Sequence, residues 1–365
     1  MLEREPVGYV DRLLQQGLEL GASDLHLEPL EKGYQVRARV DGLLRTLEVA
    51  EDKGFFLTVA SRLKLLAGLD IGQQRLPQDG SFVWSNTDQG RKVNIRLSTL
   101  PITNGEKLVL RILAGHQFSH FSDLGMNSGM EARFRQALEN PGLVLVTGAA
   151  GAGKTTTLYT VLKQFDRRRL NVVTLEEPVE YRLEGVQQVQ INRLSGLDFA
   201  NGLRAILRQD PNVILVGEIR DAETAKLSLR AALTGHLVLS TLHTTDACQA
   251  PVRLIEMGVE PYLVASGLNA VLAQKLVRKI CAGCQGLERH CRQCGGTGFD
   301  GRTGAFQLLL FDAALRESLM DFPSSTRIRE KALENKLLYT SKRFDRQPVF
   351  FLQSAAGPGK GAATF

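Results

Sequence analysis

The residues best suited to chemistry lie in one stretch, Gly148-Ala149-Ala150-Gly151-Ala152-Gly153-Lys154-Thr155, with Thr156 directly after it. The stretch fits the phosphate-binding pattern G-x-x-x-x-G-K-[ST] at every fixed position. Its glycines let backbone N–H groups turn inward around phosphate oxygens. A helix starting there directs its positive end at the same oxygens. Lys154 is spaced to reach β- and γ-phosphates, and Thr155 to ligate magnesium. An apolar run, Leu143-Val144-Leu145-Val146, leads in, and a helix-compatible run from Thr156 to Phe165 leads out. Strand, loop and helix in that order are the context the motif requires.

Four further segments supply reactive groups. Val213-Ile214-Leu215-Val216-Gly217-Glu218 is a buried-type strand ending in an acid, the position at which a nucleotide hydrolase activates water, so Glu218 is the candidate catalytic base. Thr174-Leu175-Glu176-Glu177-Pro178-Val179-Glu180 places three carboxylates at another strand end, suited to a magnesium shell and a positioned water. His236 and His243 bracket the run Leu237–Leu242, and after a phosphate loop they are candidate γ-phosphate sensors. Cys281-Ala282-Gly283-Cys284 and Cys291-Arg292-Gln293-Cys294 form two C-x-x-C knuckles, a tetrahedral sulfur set suited to structural zinc; reduced or redox-active thiols are the other reading. Cys248 stands apart and reads as a small buried residue.

The elements that must position these groups fall into two kinds. Residues 1 to about 115 read as a small α/β domain. A helical pattern (Val7, Val10, Leu13, Leu14, Leu18) precedes alternating strands at 23–28 and 34–40, with Asp41-Gly42 as a hairpin turn. A helix over about 54–67 and strands near Phe82, Val93–Arg96 and Leu108–Leu113 follow. Residues 116–124 read as a linker. From about 125 to 338, near-continuous apolar strands alternate with amphipathic helices, which predicts a parallel sheet covered on both faces, a RecA-like core. The last stretch, 339–365, ends in Gly, Ala and Ser and reads as disordered.

With 365 residues the chain has room for two domains. Its 45 Lys+Arg against 39 Asp+Glu leave +6, a weak pointer to nucleic acid or an anionic membrane. No apolar run approaches the roughly 20 residues that span a bilayer, and the N-terminus lacks a signal core, so the expected location is cytosolic.

Together these motifs resemble the ATPases that drive type II secretion and type IV pilus assembly. The resemblance runs from about Ala22 to Leu308. It includes Ala22-Ser23-Asp24-Leu25-His26-Leu27-Glu28-Pro29, Arg75-Leu76-Pro77-Gln78-Asp79-Gly80, Gly217-Glu218-Ile219-Arg220-Asp221 and Gly235-His236 through Asp246. The four-cysteine insert is similar to that of the secretion and pilus-extension branches. The resemblance implies a PAS-like N-terminal domain joined flexibly to a RecA-like ATPase domain, assembled as a homo-hexamer with ATP between the domains. It implies that Arg96 and Arg111 approach the γ-phosphate. It also implies action on a polytopic inner-membrane platform protein, peripheral membrane association through partners, and no direct nucleic-acid ligand.

This chain departs from the family pattern at four places. Glu177 stands where Asp is usual, and Lys275 where Arg is usual. The expectation is that no extra N-terminal docking domain precedes the PAS-like one. After about Leu338 the resemblance stops, and the expected final helices are replaced by 339–365. Two other functions compete with the assembly motor. A nucleic-acid motor would carry a basic, aromatic stripe, which the chain lacks. A non-catalytic scaffold would release no phosphate.

Overall fold

The computed structural model describes residues 5–85, 92–113, 118–287, 291–321 and 323–344. The N-terminal part is one six-stranded antiparallel sheet with two helices on one face. Its elements are α1 (Pro6–Glu19), β1 (Asp24–Pro29), β2 (Tyr34–Val40), β3 (Leu43–Ala50), α2 (Lys53–Leu66), β4 (Gln78–Ser85), β5 (Lys92–Ile102) and β6 (Gly105–Leu113). The strand order is β3-β2-β1-β6-β5-β4. Alternation decides the faces. Along β2, Tyr34, Val36, Ala38 and Val40 are buried, while Gln35, Arg37 and Arg39 between them point the other way. The apolar face shares one core with Leu13 and Leu14 of α1 and Phe56 and Leu63 of α2. The opposite face is polar, and on it Arg96 of β5 pairs in register with Arg111 of β6. The Asp41-Gly42 hairpin turn forms as the sequence predicts, with both residues at positive φ, 50° and 86°.

The second part begins with α3 (Ser128–Leu138), β7 (Gly142–Thr147), α4 (Lys154–Lys163), β8 (Val172–Glu176) and β9 (Gln187–Gln190). It continues through α5 (Phe199–Ile206), β10 (Val213–Val216), α6 (Ala222–Leu233), β11 (Leu237–Leu242), α7 (Gln249–Glu256) and α8 (Pro261–Gly267). It closes with β12 (Leu268–Ile280), β13 (Phe299–Leu310), α9 (Ala313–Asp321), α10 (Ser325–Glu334) and β14 (Leu338–Thr340). The sheet order is β14-β13-β12-β7-β11-β10-β8-β9. From β12 to β9 all neighbours run parallel, while β13 and β14 add an antiparallel edge. Separate apolar cores lie on the two faces. One packs α3 and α4, the other α5 to α10. β7, β8, β10 and β11 are buried at every position, as a doubly covered sheet requires. With β11 between β7 and β10, the phosphate loop and the acid-ending strand emerge at the same sheet edge. This is the RecA-like arrangement expected of the fold.

Three features differ from the sequence reading. Part of the 116–124 stretch is packed rather than linker-like. Phe121 is fully buried edge-on against Phe134, with ring centroids 5.5 Å apart. The 339–365 stretch begins inside the sheet, not beyond it. Tyr339 and Thr340 lie in β14, and Phe344 is buried with the Lys275 ammonium 4.3 Å over its ring. Residues 345–365 lie outside the described residues. The long β12–β13 pair that carries the cysteines was not read as strands.

Candidate nucleotide site and tetracysteine centre

β7 ends at Thr147, and the loop from Gly148 turns into α4 at Lys154. Two glycines are required by geometry. Gly148 sits at φ 153°, and a Cβ there would stand 2.4 Å from the Gln274 carbonyl. Gly153 caps α4 in the left-handed region at φ 86°. Ala149, Ala150 and Gly151 form the exposed outer lip of the loop, and Ala152 is tucked beneath it. Lys154 Nζ donates to the Gly148 and Ala149 carbonyls at 2.8 and 3.1 Å. Burial lowers its pKa, opposed by the Glu218 charge. Thr155 is exposed in the first turn of α4 beside it, and Thr156 follows, half-buried.

A cleft of ≈ 200 Å³ opens over this loop, lined by Lys154, Thr155, Glu176, Glu177, Glu180, Glu218 and His243 among others. Glu218 follows β10. Its carboxylate accepts from Arg220 at 2.5 Å and lies 3.2 Å from His243 Nε2. Burial acts to raise its pKa, but these two partners outweigh it and hold the group below the usual carboxylate range. Glu176, 4% exposed, accepts from Tyr159, from Thr174 at 2.6 Å and from Gln188 at 3.2 Å. Glu177 accepts a two-pronged bond from Arg193 at 2.7 and 2.9 Å, which holds it below the usual range despite burial. The acidic segment thus reaches the cleft, but two of its carboxylates are already engaged by protein donors.

The two histidines separate. His243 follows β11 at the loop end of the sheet and faces Glu218. His236 precedes β11, at the other end, where Nδ1 is 2.9 Å from the Ala231 carbonyl. Seven residue steps at ~3.3 Å each put it about 23 Å from His243. The reading of His236 as a phosphate sensor is therefore corrected: flanking one strand on both sides puts two residues at opposite sheet edges.

Arg96 approaches a cleft residue from the N-terminal sheet of the same chain, with Nη2 3.3 Å from Glu180 Oε2. Arg111 beside it is exposed and held by Asp24 at 2.9 Å. Burial raises the Glu180 pKa, and the two guanidinium charges only partly offset it. The sequence reading includes Glu180 as one of three carboxylates for a magnesium shell and positioned water, not as a partner of Arg96, and it does not reach Arg193, Tyr159 or Gln188. Tyr159 had a local signal: it lies five residues after Lys154 on the apolar side of α4. Arg193 and Gln188 had none, since their partners are distant in sequence.

All four cysteines are buried, with sulfurs within 4.8 Å of one another. Cys281 Sγ is 3.8 Å from Cys291 Sγ, and Cys284 Sγ is 3.7 Å from Cys294 Sγ. A tetrahedron with Zn–S of about 2.3 Å has edges of ~3.8 Å, so the donor set fits zinc. The Gly298 N–H donates to Cys294 Sγ at 3.3 Å, the kind of outer bond that steadies a thiolate ligand.

A phosphate loop, a facing acid and a RecA-like sheet with an appended antiparallel domain are the parts of a P-loop nucleoside-triphosphate hydrolase. A sequence profile of the type II/IV secretion system protein family matches residues 4–350. The chain is 45% identical over 333 residues to the type II secretion system protein HxcR of Pseudomonas aeruginosa, covering 88% of this chain and 70% of that protein. It is 42% identical over 333 residues to the type II secretion system ATPase E of Vibrio cholerae, covering 84% and 66%. It is 41% identical over 351 residues to the type IV pilus assembly ATPase PilB of Thermus thermophilus, covering 89% and 39%. The chain therefore spans about two thirds or less of the length of most such relatives. It belongs to the type II/IV secretion system family, the ATPases of secretion and pilus assembly. Its fold is that of the Legionella pneumophila ATPase DotB (TM-score 0.70, 22% identity, 90% of this chain and 87% of that one). The pilus retraction motor PilT with bound ADP shares it (TM-score 0.61, 24% identity, 92% and 96%).

Proposed function

We propose that this chain hydrolyses ATP to power growth of a type IV pilus or type II secretion pseudopilus, working as a cytoplasmic homo-hexamer on an inner-membrane platform protein. The observation that carries the reading is the loop Gly148–Thr155 facing Glu218 across one cleft, in a member of this family. Among the described residues no helix is long and apolar enough to cross a membrane, which fits an enzyme held at the membrane by partners.

Loop N–H groups and Lys154 bind the β- and γ-phosphates. Thr155 holds magnesium, which when bound neutralises phosphate charge. Glu218 orients the attacking water and takes its proton, with His243 beside it. Glu177 and Glu176 shape the acidic wall. Arg96 and Arg111 meet the charge that develops in transfer, as arginine clamps do elsewhere. The cysteine site, closed by four sulfurs, holds structural zinc and takes no part in hydrolysis. The test is phosphate release by the purified chain: ATP-dependent turnover in the wild type, with loss of turnover in Lys154→Ala, is expected. No release from the wild type would leave a scaffold, and release that requires DNA would favour a nucleic-acid motor.

A further inference from the structure

Glu180 lines the cleft and touches both the N-terminal sheet and the helix α4. Its Oε2, buried and accepting no hydrogen bond, lies 3.3 Å from Arg96 Nη2 as an ion pair, the two side chains 30% and 29% exposed. Its carbonyl accepts from Asn94 Nδ2 at 3.5 Å, also from β5. Its N–H donates to the Tyr159 hydroxyl at 3.4 Å, and Tyr159 lies on α4, the helix that the phosphate loop opens. Glu180 itself lines the cleft with Lys154 and Glu218. A single residue thus ties the phosphate-loop helix to the strand bearing the arginine.

We propose that Glu180 is a positioning residue that catches Arg96 at the mouth of the cleft and competes with the nucleotide's terminal phosphate for its guanidinium. The proposal rests on the reading that Arg96 meets the γ-phosphate. A guanidinium fork matches carboxylate and phosphate alike, and it cannot satisfy both with the same N–H groups. The γ-phosphate carries more charge than one carboxylate, so it wins the exchange when it arrives. A diphosphate has no γ-phosphate and leaves the catch closed. Glu180 therefore lowers affinity for triphosphate selectively, and domain closure becomes a readout of which nucleotide is present. Exposed ion pairs are weak, so the selective penalty is about 2- to 5-fold in affinity.

The test measures dissociation constants of ADP and of a non-hydrolysable ATP analogue for the full chain, as wild type, Glu180→Gln, Arg96→Gln and the double variant. Expected: Glu180→Gln shifts the ratio toward the triphosphate by about 2- to 5-fold, and the shift vanishes when Arg96 is already glutamine. Arg96→Gln alone moves the ratio toward ADP. Equal tightening of both nucleotides by Glu180→Gln, persisting without Arg96, would mean general charge repulsion and overturn the catch. An unchanged ratio in Glu180→Gln, with Arg96→Gln still active on it, overturns the catch alone. An unchanged ratio in Arg96→Gln overturns the underlying reading of Arg96 and the catch with it. Melting of each variant checks folding. If Glu180→Gln does not fold, Glu180→Asp, one methylene short of Arg96, is expected to give the same shift.

Discussion

At the residue scale the proposed role of Glu218 as base requires that it can accept a proton. Its partners Arg220 and His243 hold it below the usual carboxylate range, of which about 4.3 is the reference for glutamate. A general base must be deprotonated, so turnover should keep its Glu218 contribution at all pH values above that range and lose it only in stronger acid. Glu218→Gln should bind nucleotide and lose about 10²–10⁴-fold in turnover, because an amide cannot take the proton. Arg220→Gln removes a partner that favours the carboxylate, so the acid limb of the turnover profile should move to higher pH. Single-turnover rates across the acid range test both. Near-normal hydrolysis in Glu218→Gln would move the base elsewhere. Lys154 and Glu218 were legible in the sequence because each is fixed by its own strand: a loop after β7, an acid after β10. His236 was misplaced for the complementary reason. It precedes β11, so it sits at that strand's N-terminal end, while the phosphate loop follows the C-terminal end of the parallel neighbour β7.

At the element scale, period-two and near-continuous apolar runs disclosed most of both sheets, and the turn at Asp41-Gly42 came from its chemistry. The β12–β13 pair escaped because its long strands are stabilised by partners far along the chain rather than by local pattern. That pair is the mount for the cysteines. Cys281 follows β12, and Cys294 precedes β13 by four residues, so the knuckles meet only because the two strands pair, with Ile280 opposite Phe299. Metal there should act on this element before it acts on the core. One zinc per chain is expected by elemental analysis of protein purified without chelator. Cys284→Ser should lower zinc content and expose thiols to titration. Melting of the main core should shift far less, since the sheet from β12 to β9 has its own apolar layers on both faces. Four titratable thiols with no zinc in the wild type would leave the redox reading standing.

At the scale of the whole molecule, two contacts among the described residues tie the N-terminal sheet to the rest of the chain. One is the Arg96–Glu180 pair over the cleft. The other is the Asp41 turn, whose carboxylate accepts from the Gly301 N–H at 3.0 Å and lies 3.7 Å from Arg302 Nε, both on β13. Two separated contacts resist rotation that one contact permits. If the Arg96 side must open and close with nucleotide, the Asp41 side is the natural pivot, and it sits on the strand pair that carries the cysteines. Alanine is the wrong probe for this, because Asp41 has φ 50° and a Cβ is strained there. Glycine adopts that conformation freely, so Asp41→Gly deletes both contacts without straining the turn. Melting should change by no more than about 1 kcal/mol, as for a surface contact. The distance distribution between spin labels on α2 and α3, by contrast, should broaden and lengthen, and turnover should fall with ADP affinity unchanged, because Arg96 is then delivered to the cleft less often. Asp41→Asn, which keeps the acceptor for Gly301 but loses the charge toward Arg302, should fall between glycine and wild type. An unaltered distance distribution in Asp41→Gly would mean that the turn merely rests against β13 and that the pivot lies elsewhere.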